Sequence, residues 1–224
     1  MGEAIGDMLP AAVGVAISPI PIIAVVLMLV STRGRVNGPA YLIGQIIGVA
    51  GAGAVVLVLA GSVSETEDGQ PAEWVGWLTL AIGVTLVVLA VKQWRGRPRD
   101  GEEPVTPKWM GAIDSFTPPK ALGAGIVLSA LNPKNLILTI AGMAAIVRAG
   151  IPGDEEAVAL AVFTVVASLG VAIPVVMSFV LGDRSGPLLA RVKDWMAQNS
   201  AVIMAVILLL IGAKLIGDAI SALA

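Results

Sequence analysis

The chain has 224 residues, of which 57% are hydrophobic and 13% charged, and its formal net charge is −2. A mean hydropathy of +0.91 marks a polytopic, all-α membrane protein instead of a soluble domain. The lack of cysteine and histidine excludes disulfides, histidine-bound haem, thiol redox chemistry and nearly all transition-metal sites. Oxygen-only calcium or magnesium binding stays formally open, but no acidic cluster has the required spacing. No cofactor and no nucleic-acid partner are expected.

Charge-poor windows, each judged against the ~20 residues that cross the hydrocarbon core, predict six transmembrane helices. In chain order they cover about 8–31, 39–62, 74–92, 121–147, 156–181 and 199–222. The start, Met1-Gly2-Glu3 with Asp7, lacks the basic region of a cleaved signal, so the first segment is expected to stay as a helix. It contains a proline break, Ser18-Pro19-Ile20-Pro21.

The second segment carries Gly44, Gly48, Gly51 and Gly53. Gly44 and Gly48 have the Gly-x-x-x-Gly spacing that lets helices approach closely, and packing inside the monomer is favoured over a dimer seam. After the third segment, the stretch 93–120 is long, charged and rich in Pro and Gly, and divides the chain.

The fourth segment holds the tetrapeptide Asn132-Pro133-Lys134-Asn135. Its lysine costs roughly 2.5–3.5 kcal/mol at mid-membrane on insertion scales. Its proline removes a helical hydrogen bond and disfavours helix at the preceding residue. Two adjacent penalties predict a broken helix that presents a cation inside the bilayer. Segment 188–195, between the last two spans, mixes apolar and basic residues and reads either as an interfacial helix or as a plain loop. Lys214 and Asp218, spaced i, i+4 near the end of the last span, are expected to pair locally, and snorkelling at the outer interface is the favoured account of both.

Orientation follows from lysine and arginine. With both termini outside, the inner loops hold Arg33, Arg35, Lys92, Arg95, Arg97, Arg99, Lys108, Lys120, Arg184, Arg191 and Lys193, against Arg148 alone outside. Trp74, Trp77, Trp94, Trp109 and Trp195 fall near span ends or loops, as an aromatic belt requires.

The halves also align. Pro19 matches Pro133, Ser18 meets Asn132 and Pro21 meets Asn135, and each break is followed by an apolar run, a charged turn and a proline (Pro39, Pro152). Three helices per half would make two inverted three-helix repeats with broken helices 1 and 4, as in secondary transporters. Coincidence is the competing reading, because proline is common in membrane helices. The expected layout is one membrane domain over 1–224, with repeat one at 1–92, a cytoplasmic linker at 93–120 and repeat two at 121–224.

Lys134 and the half-helix N-termini after Pro19 and Pro133 form a candidate anion site for a phosphate, sulfate or carboxylate headgroup. Ser18, Gln45, Asn132, Asn135 and Thr139 are its candidate neutral hydrogen-bonding residues. The competing reading has Lys134 snorkelling or capping carbonyls while the amides mend the breaks. Asp114, Lys134 and Asp218 are the only candidates for coupling to a proton gradient. A solvated loop position is the default for Asp114.

The run Pro107-Lys108-Trp109-Met110-Gly111-Ala112-Ile113-Asp114-Ser115-Phe116-Thr117-Pro118, leading into Leu128-Ser129-Ala130-Leu131-Asn132-Pro133-Lys134-Asn135-Leu136, resembles the sulfolipid- and glycopeptidolipid-addressing proteins of mycobacteria and related actinobacteria. That family is similar to the wider lysine-exporter superfamily, whose members carry a Pro-x-Pro-like break in the first helix and an Asn-Pro-Lys break in the fourth. The resemblance implies export or surface addressing of envelope lipids from the cytoplasmic membrane, with membrane lipids and an amphiphilic substrate as partners. It also raises the role of Asp114.

Three function classes compete: a lipid or amphiphile transporter, an exporter of amino acids or similar small solutes, and an accessory subunit or homodimer within a lipid-biosynthesis or export assembly. An enzyme is not expected, because the spans lack the acids, histidines or metal that catalysis would use.

Overall fold

The computed structural model describes residues 1–61, 73–97, 113 and 115–223. Among these residues there are eight α-helices: α1 (Gly2–Ala16), α2 (Pro19–Val30), α3 (Gly34–Gly61), α4 (Glu73–Arg95), α5 (Pro118–Ala130), α6 (Pro133–Arg148), α7 (Gly153–Leu181) and α8 (Ser185–Leu223). No strand occurs among the described residues. Four of the helices, α3, α4, α7 and α8, are long and apolar enough to cross a membrane alone. The pairs α1–α2 and α5–α6 qualify as two further, bent spans, with angles of 47° and 60°. The chain is a multi-pass membrane protein.

Both bends fall at the expected prolines, and proline alone does not explain them. Pro10 and Pro174 lie inside continuous helices. At the bends a short polar residue precedes the proline: Ser18 and Asn132 each take an extended backbone (ψ 120° and 117°), and the proline opens the next helix. Ser and Asn favour this N-cap conformation, and proline fits the first helical position because its missing N–H would be unpaired there anyway.

The helices close on each other through glycine. A Cβ at Gly44 of α3 would run into the Leu122 carbonyl of α5, and one at Gly125 of α5 into the Tyr41 carbonyl of α3. The Gly44–Gly48 spacing therefore serves packing within the chain. Gly170 of α7 meets the Ala16 carbonyl of α1 in the same way. In α4 and α8, Gly83 and Gly212 face one another, each added Cβ falling 3.1 and 2.9 Å from the other's carbonyl oxygen.

Two apolar clusters fill the interior. One joins α1, α6, α7 and the middle of α8 around Met8, Leu138, Phe163 and Leu208. The other joins α2, the start of α3, α5, the end of α7 and the start of α8 around Met28, Tyr41, Val175 and Leu189. Segment 188–195 is neither a separate interfacial piece nor a loop. It forms early turns of α8, with Leu189 and Met196 buried in the second cluster while Leu188, Arg191 and Trp195 stay exposed. Trp77 and Trp94 are exposed as well, and Arg97 lies 4.5 Å over the Trp94 ring. Trp109 lies outside the described residues.

The expected local pair of Lys214 with Asp218 does not form. Lys214 Nζ instead reaches Asp7 Oδ1 of α1 at 2.6 Å, and Asp218 Oδ2 takes Arg148 Nη2 of α6 at 3.2 Å. A basic residue four positions before an acid is the weaker order on a helix, and oppositely charged partners on neighbouring helices win. Arg148 also donates to the Thr79 hydroxyl of α4 at 3.4 Å, so α1, α4, α6 and α8 are tied together at one end of the bundle.

Candidate functional site at the second helix break

The second break is held by its own amides. Asn132 Oδ1 accepts from the Lys134 backbone N–H at 3.2 Å, capping α6. The Leu136 N–H donates to the Asn132 carbonyl at 2.8 Å. Asn132 leaves the helical conformation, so its N–H no longer serves the Leu128 carbonyl four residues back, and Pro133 has no N–H for the Ser129 carbonyl. Asn135 Nδ2 reaches back to the Leu128 carbonyl at 3.4 Å. The Ser129 hydroxyl returns to the Gly125 carbonyl at 2.7 Å and so belongs to α5. The Lys134 N–H is thus occupied by its cap and not free for a ligand. The anion-attracting charge at this break resides in the Lys134 ammonium and the dipole end of α6.

Lys134 is half-buried, and among the described residues no carboxylate lies within ion-pairing distance of it. Pro133 beside it is exposed, as are Leu131 (68%) and Val127 (49%) on the preceding turns. The cation therefore stands at an apolar, outward-facing flank of a broken span. Asn135 and Thr139, one turn apart on α6, are fully buried. Gln45 is buried on α3, where its backbone meets Gly125 of α5.

The first break shares the exposed preceding turns, at Val13 and Ile17, but lacks the side-chain cap, the cation and the exposed proline. Ser18, Pro19 and Pro21 are all buried, and Ser18 makes no side-chain cap hydrogen bond. Prolines at positions one and three of α2 leave Ile20 as the sole N–H donor of its first turn. Asp114, the other expected coupling residue, lies outside the described residues. Asp218 is far from either break in the chain and is committed to Arg148.

Among the buried polar residues that escaped the sequence reading, two share one face of α3. Asn37 and Tyr41 of α3 are each 0% exposed. Asn37 Nδ2 donates to the Phe116 carbonyl at 2.9 Å, fastening the start of α3 to the approach to α5. Their spacing with Gln45, i, i+4 and i+8, was a visible signal on an otherwise apolar helix.

The sequence profile described as "Sap, sulfolipid-1-addressing protein" matches residues 8–221. The chain belongs to that family. The match runs from within α1 to the end of α8, so it takes in both breaks, and it bears out the resemblance carried by Asn132-Pro133-Lys134-Asn135 and its neighbours. No curated protein and no solved structure matches the chain.

Proposed function

We propose that this protein translocates a lipid or other amphiphile with an anionic headgroup across the cytoplasmic membrane toward the cell envelope surface. Lys134 at the second break supplies the counter-charge. The observation that carries this reading is a half-buried lysine in a broken span, without a carboxylate partner among the described residues, beside exposed Val127, Leu131 and Pro133. A headgroup can meet the ammonium there while its acyl chains stay against the apolar flank. The family's name refers to a sulfolipid, and a sulfate headgroup has the charge that Lys134 requires. Asn132, Asn135, Gln45 and Thr139 are the neutral residues assigned to the same site.

The transport mechanism is assigned to two inverted repeats, 1–92 and 121–224, rocking against each other with both termini outside. Its support is reciprocal packing: α3 lies on α5 as α7 lies on α1, α2 lies on α7 as α6 lies on α3, and α4 lies on α8. Ser18, Pro19 and Pro21 serve as the packed pivot of the first repeat. Asp114 is the remaining candidate for coupling.

The test is extraction of surface lipids from cells that carry the wild type or Lys134→Ala at equal membrane abundance. Loss of one anionic surface lipid, retained with Lys134→Arg, is expected. An unchanged surface profile in the alanine variant contradicts the headgroup role and moves the assignment to a small solute.

A further inference from the structure

Asn37, Tyr41 and Gln45 occupy one face of α3 at successive four-residue steps, over about 12 Å of helix. All three are buried to 1% exposure or less. Each keeps a side-chain oxygen with no protein partner: Asn37 Oδ1, Tyr41 Oη and Gln45 Oε1. A fourth, Asn135 Oδ1, sits at the second break. Flipping the amides does not remove the problem at either asparagine. Asn37 Nδ2 is already used on the Phe116 carbonyl and Asn135 Nδ2 on the Leu128 carbonyl, so both oxygens are turned away from those bonds.

Leaving a buried acceptor unpaired costs about 1–3 kcal/mol. Three on one helix face and a fourth beyond it make a pattern, not an isolated defect. Amide oxygens need a donor, so an anion does not answer them. A bare cation is opposed by Arg33 and Arg35 at one end of the row and Lys134 near the other, and no group of three or more acidic residues suited to an ion occurs among the described residues. Water answers all four. It donates to the amide oxygens and both donates to and accepts from a phenol.

We infer that α3 lines a file of bound water running from the α3 end that carries Arg33 and Arg35, past Asn37, Tyr41 and Gln45, to Asn135 at the second break. The residues along this route neighbour one another on the seam between α3 and α5 and at the second break. Gly125 of α5 abuts the backbone of Tyr41 and Gln45, Gly48 abuts the Ser129 hydroxyl, and Asn135 bonds the carbonyl of Leu128, the residue before Ser129. The file brings solvent from the basic face to the ammonium and headgroup. Its purpose rests on the headgroup reading above, but its existence does not.

Tyr41 is the one tyrosine in the sequence, so hydroxyl-radical footprinting of the intact wild-type protein in lipid nanodiscs reports on it without ambiguity. Phe163, equally buried in the other apolar cluster, is the dry internal control. Bound water generates radicals in place, so Tyr41 is oxidised while Phe163 stays protected, and Gln45→Leu lowers the Tyr41 signal. Protection of Tyr41 equal to that of Phe163 overturns the water file.

A second measurement uses the absence of native cysteine. Gln45→Cys should react with a membrane-impermeant thiol reagent, whereas Ile47→Cys, on the exposed apolar side of the same helix, should not. A silent Gln45→Cys in folded protein also counts against the file. Neither readout needs transport, so a wet Tyr41 together with an active Lys134→Ala variant would sink the headgroup reading alone.

Discussion

The two helix breaks share a backbone solution and differ in chemistry. Each has an extended polar residue followed by proline at the first helical position. At the first, Ser18, Pro19 and Pro21 are buried, no charge is present and two prolines strip the donors from the new helix. At the second, Asn132 and Asn135 repair the backbone, and Lys134 stands half-buried next to an exposed apolar flank. The same bend thus carries two different sets of side chains, one packed and uncharged, the other presenting a cation.

The largest effect that tests this contrast is steric. Gly170→Leu forces a side chain into the Ala16 carbonyl beside the first break, where backbone cannot yield. A loss of about 3 kcal/mol, or failure to fold, is expected in thermal unfolding of the solubilised protein. Gly123→Ala near the second break meets nothing within 4 Å. It should be neutral, or stabilise by roughly 0.5–1 kcal/mol through helix propensity. Equal damage from both would show that the open space beside Gly123 does not distinguish the two positions.

A smaller effect separates the two caps. Asn132→Ala removes the bond to the Lys134 N–H and should cost about 1 kcal/mol. Ser18→Ala removes no cap bond and should lower the melting temperature less. The smallest expected change lies far from both breaks. Lys214→Gln breaks a pair with Asp7 whose two side chains are more than a third exposed, and no more than about 1 kcal/mol should be lost. Surface-lipid levels should not respond to it.

Much of the architecture was legible beforehand because bilayer crossing imposes length and charge rules that local sequence obeys. Four of the six expected spans are single helices long and apolar enough to cross a membrane, the other two fall on bent pairs that pass only when each pair is taken together, and both bends fall at the named prolines. The close-packed role of Gly44 and Gly48 was also readable, since only glycine permits backbone contact there. Other features depend on which helices become neighbours, and span lengths do not encode that. Lys214 looked toward Asp218 in the sequence, but the fold offers Asp7 and Arg148. The Lys134 N–H looked free until Asn132 was seen to cap it. Asn37 and Tyr41 share a visible four-residue spacing with Gln45, but spacing alone does not reveal that their face is buried.

Under the proposed function, the second break holds an anionic lipid through Lys134. Native mass spectrometry of the purified protein with an anionic and a zwitterionic lipid at equal concentration tests it most directly. The wild type and the Lys214→Gln variant should both retain the anionic lipid preferentially, and Lys134→Gln should lose that preference. An undiminished preference for the anionic lipid in folded Lys134→Gln would contradict the account.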